Sequence, residues 1–252
     1  MMLQQTPVAR VQPVYETWMN RWPDPAALAG EPAAEAIRAW GRLGYPRRAV
    51  RLHAAAGVIV DEHAGQVPRG LADLRALPGV GEYTAAAVAA FAFAAAVPVL
   101  DTNVRRVLGR AVRGEALPPA HLTNAERALA QALLPTGPAE PAVWSVAVME
   151  LGALVCTAAN PLCQQCPLTH QCAWLTEGRP DTIRPRRVQA FAGTDRQVRG
   201  RLMAVLRDAT DPVPRTALDA VWPDAVQRER ALASLVTDGL AIAVDDCYRL
   251  PD

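Results

Sequence analysis

A tight turn between two short apolar segments constrains this chain more than any other feature of its sequence. Residues 77–81 read LPGVG, residues 71–76 predict a short helix, and residues 82–96 predict a second helix made mostly of Ala, Val and Phe. Helices joined in this way leave backbone N–H groups unpaired at the positive end of the second helix, where a phosphate can bind. Gly79 and Gly81 lack a Cβ, so a nucleic-acid backbone can approach closely. The turn therefore predicts contact with nucleic acid.

A single acid, Asp101, lies twenty residues after Gly81 and is followed by several arginines. A phosphate-binding turn and a lone carboxylate at this separation suggest chemistry on a nucleic acid. The same residues also allow an ordinary pair of antiparallel helices in which Asp101 only caps the next helix. Spacing alone does not choose between these two interpretations.

The chain has 252 residues and a net charge of +1, yet its basic residues are grouped. Five arginines lie between positions 38 and 51 without an acidic residue among them. This grouping predicts a basic face on a nearly neutral protein, with solvated helix faces as the alternative. All 26 basic residues are arginine, so the chain has no lysine that could form a Schiff base.

Four cysteines follow the pattern C-x6-C-x2-C-x5-C: Cys156, Cys163, Cys166 and Cys172. No secretion signal accompanies them, so a disulfide framework is not expected. Thiolates bind iron–sulfur clusters or zinc. Zinc sites commonly use two widely separated C-x2–4-C pairs, whereas this compact, uneven loop favours one 4Fe–4S cluster, and zinc remains the alternative. Cys247 stands apart and is predicted to be a buried or idle thiol.

The remaining pattern predicts a soluble, cytoplasmic, mainly helical protein, because the longest apolar run, 85–97, is too short to span a bilayer. Residues 178–194, rich in Pro, Gly and Arg, are typical of a linker. The segment after them predicts three helices and a hairpin of short strands, the pattern of a winged-helix module. Expected helices lie at 8–19, 25–29, 32–43, 47–62, 71–76, 82–96, 102–112, 123–134, 143–155, 195–208, 215–221 and 225–238, and expected strands at 240–244 and 247–250.

In combination, these motifs resemble those of the endonuclease III-like superfamily of helix-hairpin-helix DNA glycosylases. The resemblance is carried by LPGVGEYTA, VLDTNVRR and the cysteine pattern preceded by MELGALVC. Within the superfamily, LQQTPVARV and RLGYPRRAVRLH are most similar to the MutY-type adenine DNA glycosylases. The resemblance covers about residues 1–190. It implies an all-α fold, with a helical barrel domain at 1–97 and an iron–sulfur domain at 98–190, before the winged-helix-like module at 191–252.

The resemblance implies a monomeric, monofunctional glycosylase that removes adenine mispaired with 8-oxoguanine or guanine in double-stranded DNA. Such enzymes flip the base out of the duplex, and a carboxylate stabilises the oxocarbenium-like cation that forms. Asp101 matches the catalytic aspartate. Tyr83 stands where bifunctional relatives carry a lysine, so base removal by water is expected. The residues that match DNA contacts are Gln4, Gln5, Thr6, Tyr45, Arg48, Gly79, Val80, Gly81, Thr84, Asn103 and Arg105, with a core-packed ring as the alternative for Tyr45.

The sequence departs from the family pattern at three places. The general-acid glutamate of the family falls just ahead of the residues that match 1–6, so we expect the working protein to begin upstream. Val146 stands where relatives often carry Gln or Glu against adenine. Residues 195–252 are too few for the Nudix-like domain that reads 8-oxoguanine. A glycosylase for another base and a catalytically impaired DNA-binding iron–sulfur protein remain alternatives; an electron-transfer protein is supported by the cysteines alone.

Overall fold

The structure is a computed structural model that describes residues 1–137, 140–180 and 191–252. The chain forms two compact units. The first unit contains Met1–Pro68, Ala76–Gly79 and the described residues from 191 onward; the second contains Arg69–Arg75 and the described residues between 80 and 180. The predicted domains, 1–97, 98–190 and 191–252, have other boundaries. Because compactness does not show which segments fold alone, that division stays a prediction. Most of the predicted linker, 178–194, lies outside the described residues.

The chain is mainly helical, as predicted. The helices are α1 (Val8–Arg21), α2 (Pro25–Ala29), α3 (Ala33–Trp40), α4 (Arg47–His63), α5 (Leu71–Ala76), α6 (Glu82–Phe93), α7 (Thr102–Arg113), α8 (Asn124–Leu133), α9 (Glu140–Glu150), α10 (Ala173–Thr176), α11 (Asp195–Asp208), α12 (Arg215–Asp219) and α13 (Ala225–Thr237). The strands are β1 (Val213–Pro214), β2 (Ile242–Val244) and β3 (Cys247–Arg249). Among the described residues, no helix is both long and apolar enough to cross a membrane.

Short polar side chains start four of these helices. Asp24 and Asp224 each accept a hydrogen bond from the backbone N–H three residues later, at 2.8 Å and 3.0 Å. Asp101 does the same for α7. Thr123 and Glu126 form a reciprocal capping box at α8. These caps satisfy N–H groups that a helix cannot pair internally, so the helix starts are encoded locally.

The core of the first unit is built around three tryptophans. The Trp18 ring meets the rings of Trp22 and Trp40 edge-on, with centroids 4.8 Å and 5.7 Å apart. Leucines from the C-terminal segment belong to the same buried cluster: Leu202, Leu206, Leu218, Leu232, Leu235, Leu240 and Leu250. The C-terminal segment is therefore anchored to α1–α4 by shared apolar burial.

The C-terminal segment has the element order α11–β1–α12–α13–β2–β3. Its sheet is antiparallel, with strand order β1–β3–β2, and Tyr248 of β3 lies between Val213 and Ala243. The predicted winged-helix pattern of three helices and a hairpin is present. Strand β1 was not predicted, because two residues carry no periodicity and only their pairing with β3 makes them a strand.

Helix α7 is the central element of the second unit and contacts α8, α9, α10 and the turn that follows α9. Val104 and Leu108 are buried with Ala130 of α8, and Trp144 of α9 packs against them. A second, smaller buried cluster consists of Ala116, Cys172 and Trp174. Helix α7 thus stands between the helices of this unit and the cysteine segment.

The predicted helix 143–155 changes its winding before it ends. Residues Leu151–Val155 form a π-helical turn, and the N–H of Cys156 bonds the carbonyl of Leu151 at 2.6 Å. Gly152 lies directly against α7, where an added Cβ would come within 2.7 Å of the Asn103 Cβ. The wider turn delivers Cys156, and π-turns of this kind are frequent at functional sites.

Candidate functional site

The glycine-rich turn joins α5 to α6, as predicted. Gly79 has a φ of +77°, and a Cβ there would lie 2.6 Å from the Met1 Cε and 2.8 Å from the Arg51 Cβ. A Cβ on Gly81 would meet no atom within 4 Å. Gly79 is therefore required by conformation and packing, whereas Gly81 leaves open space in front of the first N–H groups of α6.

The start of α6 carries an acid that would oppose a phosphate, and this acid is paired. Glu82 accepts two hydrogen bonds from Arg127, at 2.7 Å and 2.9 Å. This bidentate pair lowers the pKa of Glu82 despite the opposing effect of burial. The ion pair offsets the negative charge at the turn, so the helix dipole can still favour an anion.

The carboxylate of Asp101 is held in one orientation at the start of α7. Its Oδ1 accepts from the N–H of Val104 at 2.7 Å, and its Oδ2 accepts from the Asn103 amide at 3.0 Å. Asp101 therefore caps α7, as the N-cap interpretation predicts. Capping does not exclude a chemical role, because an ionised carboxylate has about four acceptor positions and these bonds use two.

The Asn103 amide is in turn fixed by a buried arginine. Arg106 is 5% exposed and donates to the Asn103 Oδ1 at 2.8 Å. It also donates to the carbonyls of Gly152 at 2.6 Å and Cys156 at 2.7 Å. A continuous set of hydrogen bonds therefore joins Asp101 to the backbone of the first cysteine.

Tyr83, on the first turn of α6, is within the electrostatic influence of this carboxylate. Burial raises the pKa of the Tyr83 phenol, and the charge of Asp101 raises it further. The phenol thus stays protonated at neutral pH and keeps its O–H donor. The Tyr83 side chain is 40% exposed, so a ligand can reach it.

Arg105, predicted to contact DNA, is used within the protein. Its Nε and Nη2 bond both carboxylate oxygens of Glu126, at 2.7 Å and 3.0 Å, and both side chains are largely buried. Its Nη2 also donates to the carbonyls of Pro119 and His121. This arginine fixes the loop ahead of α8, and its role as a DNA contact stays a prediction.

The four predicted ligand cysteines line one cavity. It has about 280 Å³ of empty space, partly open to solvent, and its other walls include Arg110 and Trp174. Burial raises the pKa of the Cys166 thiol, and the charges of the other three cysteines raise it further. The four cysteines thus line one cavity, and their role as ligands stays a prediction.

Arg110 holds the wall of this cavity. Its guanidinium lies 4.4 Å from the centre of the Trp174 ring and donates to the carbonyls of Ala116, Thr157 and Ala158. Its Nη1 is also 3.4 Å from the Cys156 sulfur. The wall of the cavity therefore carries a buried positive charge beside one of the predicted ligands.

The thiols share the cavity but are not gathered as a single-ion site. No group of three or more His, Cys, Asp or Glu side chains within the described ranges is placed to hold one metal ion. Four thiolates on one zinc ion would lie within about 4 Å of one another, because each Zn–S bond is about 2.3 Å. Four soft sulfurs around one cavity with a neighbouring cation are chemically suited to an iron–sulfur group.

In the first unit, Arg48 holds together two loops that carry predicted DNA contacts, residues 1–6 and residues 44–46. Its Nη atoms donate to the carbonyls of Met1, Met2 and Gln4, to the Thr6 hydroxyl at 2.9 Å, and to the carbonyl of Gly44 at 3.1 Å. Arg48 is 7% exposed, and burial lowers its pKa. It therefore organises the loops from inside, and its predicted contact with DNA stays a prediction.

Each of the two loops bound by Arg48 contains one residue in the left-handed backbone region. Gln5 has a φ of +58° and Tyr45 a φ of +47°. Such conformations cost energy for residues other than glycine and persist where the surroundings impose them, often at functional sites. Tyr45 is 51% exposed, so its ring is presented to solvent and the core-packed alternative is wrong.

The structure thus places the predicted residues in three groups: Asp101, Tyr83 and Asn103; the four cysteines; and the loops of Gln4, Gln5, Thr6 and Tyr45. Val80 and Thr84 lie at the turn with the two glycines, and Thr84 is buried. Val146 is 42% exposed on α9. Their roles toward DNA stay predictions. Sequence reasoning missed the buried Arg106 and Arg110, whose four-residue spacing on α7 was the available signal.

Known DNA repair proteins are similar to most of this chain. A family model described as "HhH-GPD superfamily base excision DNA repair protein" matches residues 1–132. A curated adenine DNA glycosylase of Mycolicibacterium smegmatis is 55% identical over 240 residues, which is 95% of this chain and 80% of that protein. The adenine DNA glycosylase of Mycobacterium tuberculosis (strain H37Rv) is 53% identical over 99% of this chain and 83% of its own length.

Solved structures share the fold. A thermostable thymine-DNA glycosylase superimposes with a TM-score of 0.63 at 27% identity, covering 70% of this chain and 81% of that one. An endonuclease III trapped covalently on DNA has a TM-score of 0.61 at 24% identity, over 71% and 82% of the two chains. At this identity, the similarity to endonuclease III shows a shared fold only.

Proposed function

This chain belongs to the HhH-GPD superfamily of base excision DNA repair proteins, and from that membership we propose that it hydrolyses the N-glycosidic bond of adenine mispaired with 8-oxoguanine or guanine. The family and the helical glycosylase fold predicted from the motifs are confirmed. The substrate, the monomeric state and action on DNA in the cytoplasm belong to the proposal. Relatives named adenine DNA glycosylase, at 53–55% identity over nearly the whole chain, support it.

The observation that carries the proposal is the carboxylate of Asp101, which two hydrogen bonds hold in one orientation at the start of α7. As the base leaves, positive charge develops on the sugar, and a preoriented carboxylate stabilises that charge without reorganising. The Val104 N–H and the Asn103 amide hold Asp101 in place, and its remaining lone pairs are available. A water molecule then adds to the sugar, because the chain has no lysine for a covalent route.

We propose that the glycine-rich turn and the loops of Gln5 and Tyr45 bind DNA. The turn at Gly79–Gly81 and the first N–H groups of α6 would receive a phosphate. Gln5 and Tyr45, fixed on their clamped loops, would enter the base stack and occupy the space that the flipped adenine leaves.

Asp101→Asn tests the chemistry, and Asp224→Asn is a matched control because Asp224 caps α13 in the same way. Single-turnover excision would be measured on duplexes with adenine opposite 8-oxoguanine, guanine or thymine, using this chain and the same chain extended by its upstream codons. We expect Asp101→Asn to lower the rate at least about 100-fold with nearly unchanged affinity. Asp224→Asn should behave as the parent.

The outcomes separate the alternatives. An Asp101→Asn rate within about threefold of the parent would remove Asp101 from the chemistry. Tight binding without turnover by both chain forms would favour a DNA-binding protein, and excision confined to another damaged base would favour the other glycosylase.

We also propose that Cys156, Cys163, Cys166 and Cys172 hold a 4Fe–4S cluster. The compact, uneven pattern C-x6-C-x2-C-x5-C supports this assignment over zinc, and all four cysteines line one cavity. A bound cluster would cross-link the segment from Cys156 to Cys172, whose described buried cluster is small.

Purified protein should be brown, with broad absorption near about 400 nm. Cys166→Ser should lose this colour, whereas Cys247→Ser, the same change in β3 of the other unit, should keep it. Colourless parent protein with stoichiometric zinc would contradict the assignment.

A further inference from the structure

The C-terminal segment places an exposed arginine against the tyrosine that is assigned to the base stack. The guanidinium carbon of Arg196, on the first turn of α11, lies 5.5 Å from the centre of the Tyr45 ring and 5.8 Å from that of Phe191. The two rings are 51% and 55% exposed, and Arg196 is exposed as well. Exposed aromatic rings interleaved with arginine are the chemistry on which unpaired nucleobases stack.

Arg196 is also free to bind a ligand. Within the described parts of the chain it has no carboxylate partner and donates no hydrogen bond. Its neighbour Asp195 is bound by two hydrogen bonds from Arg230, at 2.6 Å and 2.7 Å, and by one from Gln227. The nearest acid in the sequence is therefore already neutralised.

The surrounding charge favours DNA. The Asp238 carboxylate forms salt bridges with Arg47 at 2.7 Å and with Arg199 at 2.5 Å. Arg47 precedes Arg48 on α4, and Arg199 lies one helical turn after Arg196. One carboxylate thus serves two arginines, and Arg48 and Arg196 add further positive charge beside Tyr45. An excess of positive charge around exposed rings attracts a polyanion.

The position of Arg196 is set by packing. Val198, Leu202 and Leu206 of α11 are buried in the same core as Trp40. Arg207 donates to the carbonyl of Gly41, and the carbonyl of Ala209 accepts from Arg38 at 3.0 Å. The contact between Arg196 and Tyr45 is therefore built into the first unit.

We propose that Arg196, with Tyr45 and Phe191, stacks on and hydrogen-bonds the base left unpaired when adenine is flipped out, so that the C-terminal module helps to read that base. This rests on the proposed function, which sends Tyr45 into the stack next to that base. The planar guanidinium offers paired donors to the acceptor edge of a guanine-type base.

The test compares Arg196→Ala with Arg201→Ala. Arg201 lies on the same helix, is exposed, and its guanidinium carbon lies 4.9 Å from the centre of the Trp222 ring. Replacing it by alanine therefore removes one positive charge and a contact with an aromatic ring, as Arg196→Ala does. Affinity would be measured on duplexes with adenine opposite 8-oxoguanine and on duplexes with an abasic analogue in place of the 8-oxoguanine. Arg196→Lys keeps the charge but removes the planar group, and thermal unfolding monitors folding in every variant.

We expect Arg196→Ala to weaken binding of the adenine:8-oxoguanine duplex about tenfold, as for loss of one stacking contact. The loss should shrink to that of Arg201→Ala when the opposite base is absent, and Arg196→Lys should resemble Arg196→Ala. Equal effects of Arg196→Ala with and without the opposite base, or a parent-like Arg196→Lys, would indicate a phosphate contact or a brace for Tyr45 and overturn the inference. Failure of both this chain and its upstream-extended form to act on this duplex would instead defeat the proposed function.

Discussion

Replacing Arg106 by methionine should destabilise the second unit and disable Asp101 together. The substitution removes three hydrogen bonds from a buried guanidinium, two to backbone carbonyls and one to Asn103. Each bond to a charged group contributes about 1.5–3 kcal/mol, and the orphaned oxygens stay buried. Since methionine regains some apolar burial, we expect a loss of about 3–5 kcal/mol, the usual effect of breaking a buried charged network.

Such a loss is a large part of the about 5–15 kcal/mol that stabilises a typical protein. Urea unfolding followed by circular dichroism should show a midpoint lowered by about 2 M, for a slope of about 2 kcal/mol per M. Excision by the protein that remains folded should be slower, because Asn103 loses the partner that holds it against Asp101.

Arg113→Met is the matched control. Arg113 lies on the same helix and makes a partly exposed pair with Glu115 at 2.6 Å, so its loss should change stability by no more than about 0.5–1 kcal/mol. If Arg106→Met unfolds at the same urea concentration as Arg113→Met, the hydrogen bonds assigned to Arg106 do not hold the cysteine segment.

Gly79→Ala should lower the free energy of unfolding by about 1–3 kcal/mol, because Gly79 has a positive φ and crowded surroundings. Gly81→Ala should leave the stability unchanged and weaken DNA binding. Equal melting temperatures of the two variants would contradict this. Glu126→Gln should remove a pH dependence: burial opposes the charged form, but the bonds from Arg105 and Thr123 outweigh it and lower the pKa of Glu126. The parent's stability from this group is therefore present above pH about 4.5 and falls as pH drops through the lowered pKa; acid titrations that are parallel for both proteins would refute it. The parent should form no borohydride-trapped lysine adduct with abasic DNA, while Tyr83→Lys should form one, detected as a covalent complex on a denaturing gel.

Much of the fold was predictable because its signals are local. Helices α2 and α5 begin and end where the sequence predicts, since Asp24 caps one and the glycine-rich turn ends the other. The meeting of four cysteines also follows from their spacing. The π-helical turn before Cys156 was not predicted, because it depends on Gly152 packing against Asn103, a contact between segments far apart in the sequence.

The sequence by itself determined the helical class, the family and the position of the glycine-rich turn between α5 and α6. Tertiary structure decided how the arginines are used. Two of those predicted to contact DNA, Arg48 and Arg105, donate to oxygens of the chain itself, and their contact with DNA stays a prediction. Arg106, which sequence reasoning passed over, connects the aspartate to the cysteine segment. It also decided that Arg196 meets Tyr45. A guanidinium reaches several ångströms and bonds whatever oxygen or ring the fold brings near it, so its role depends on partners that no local pattern specifies.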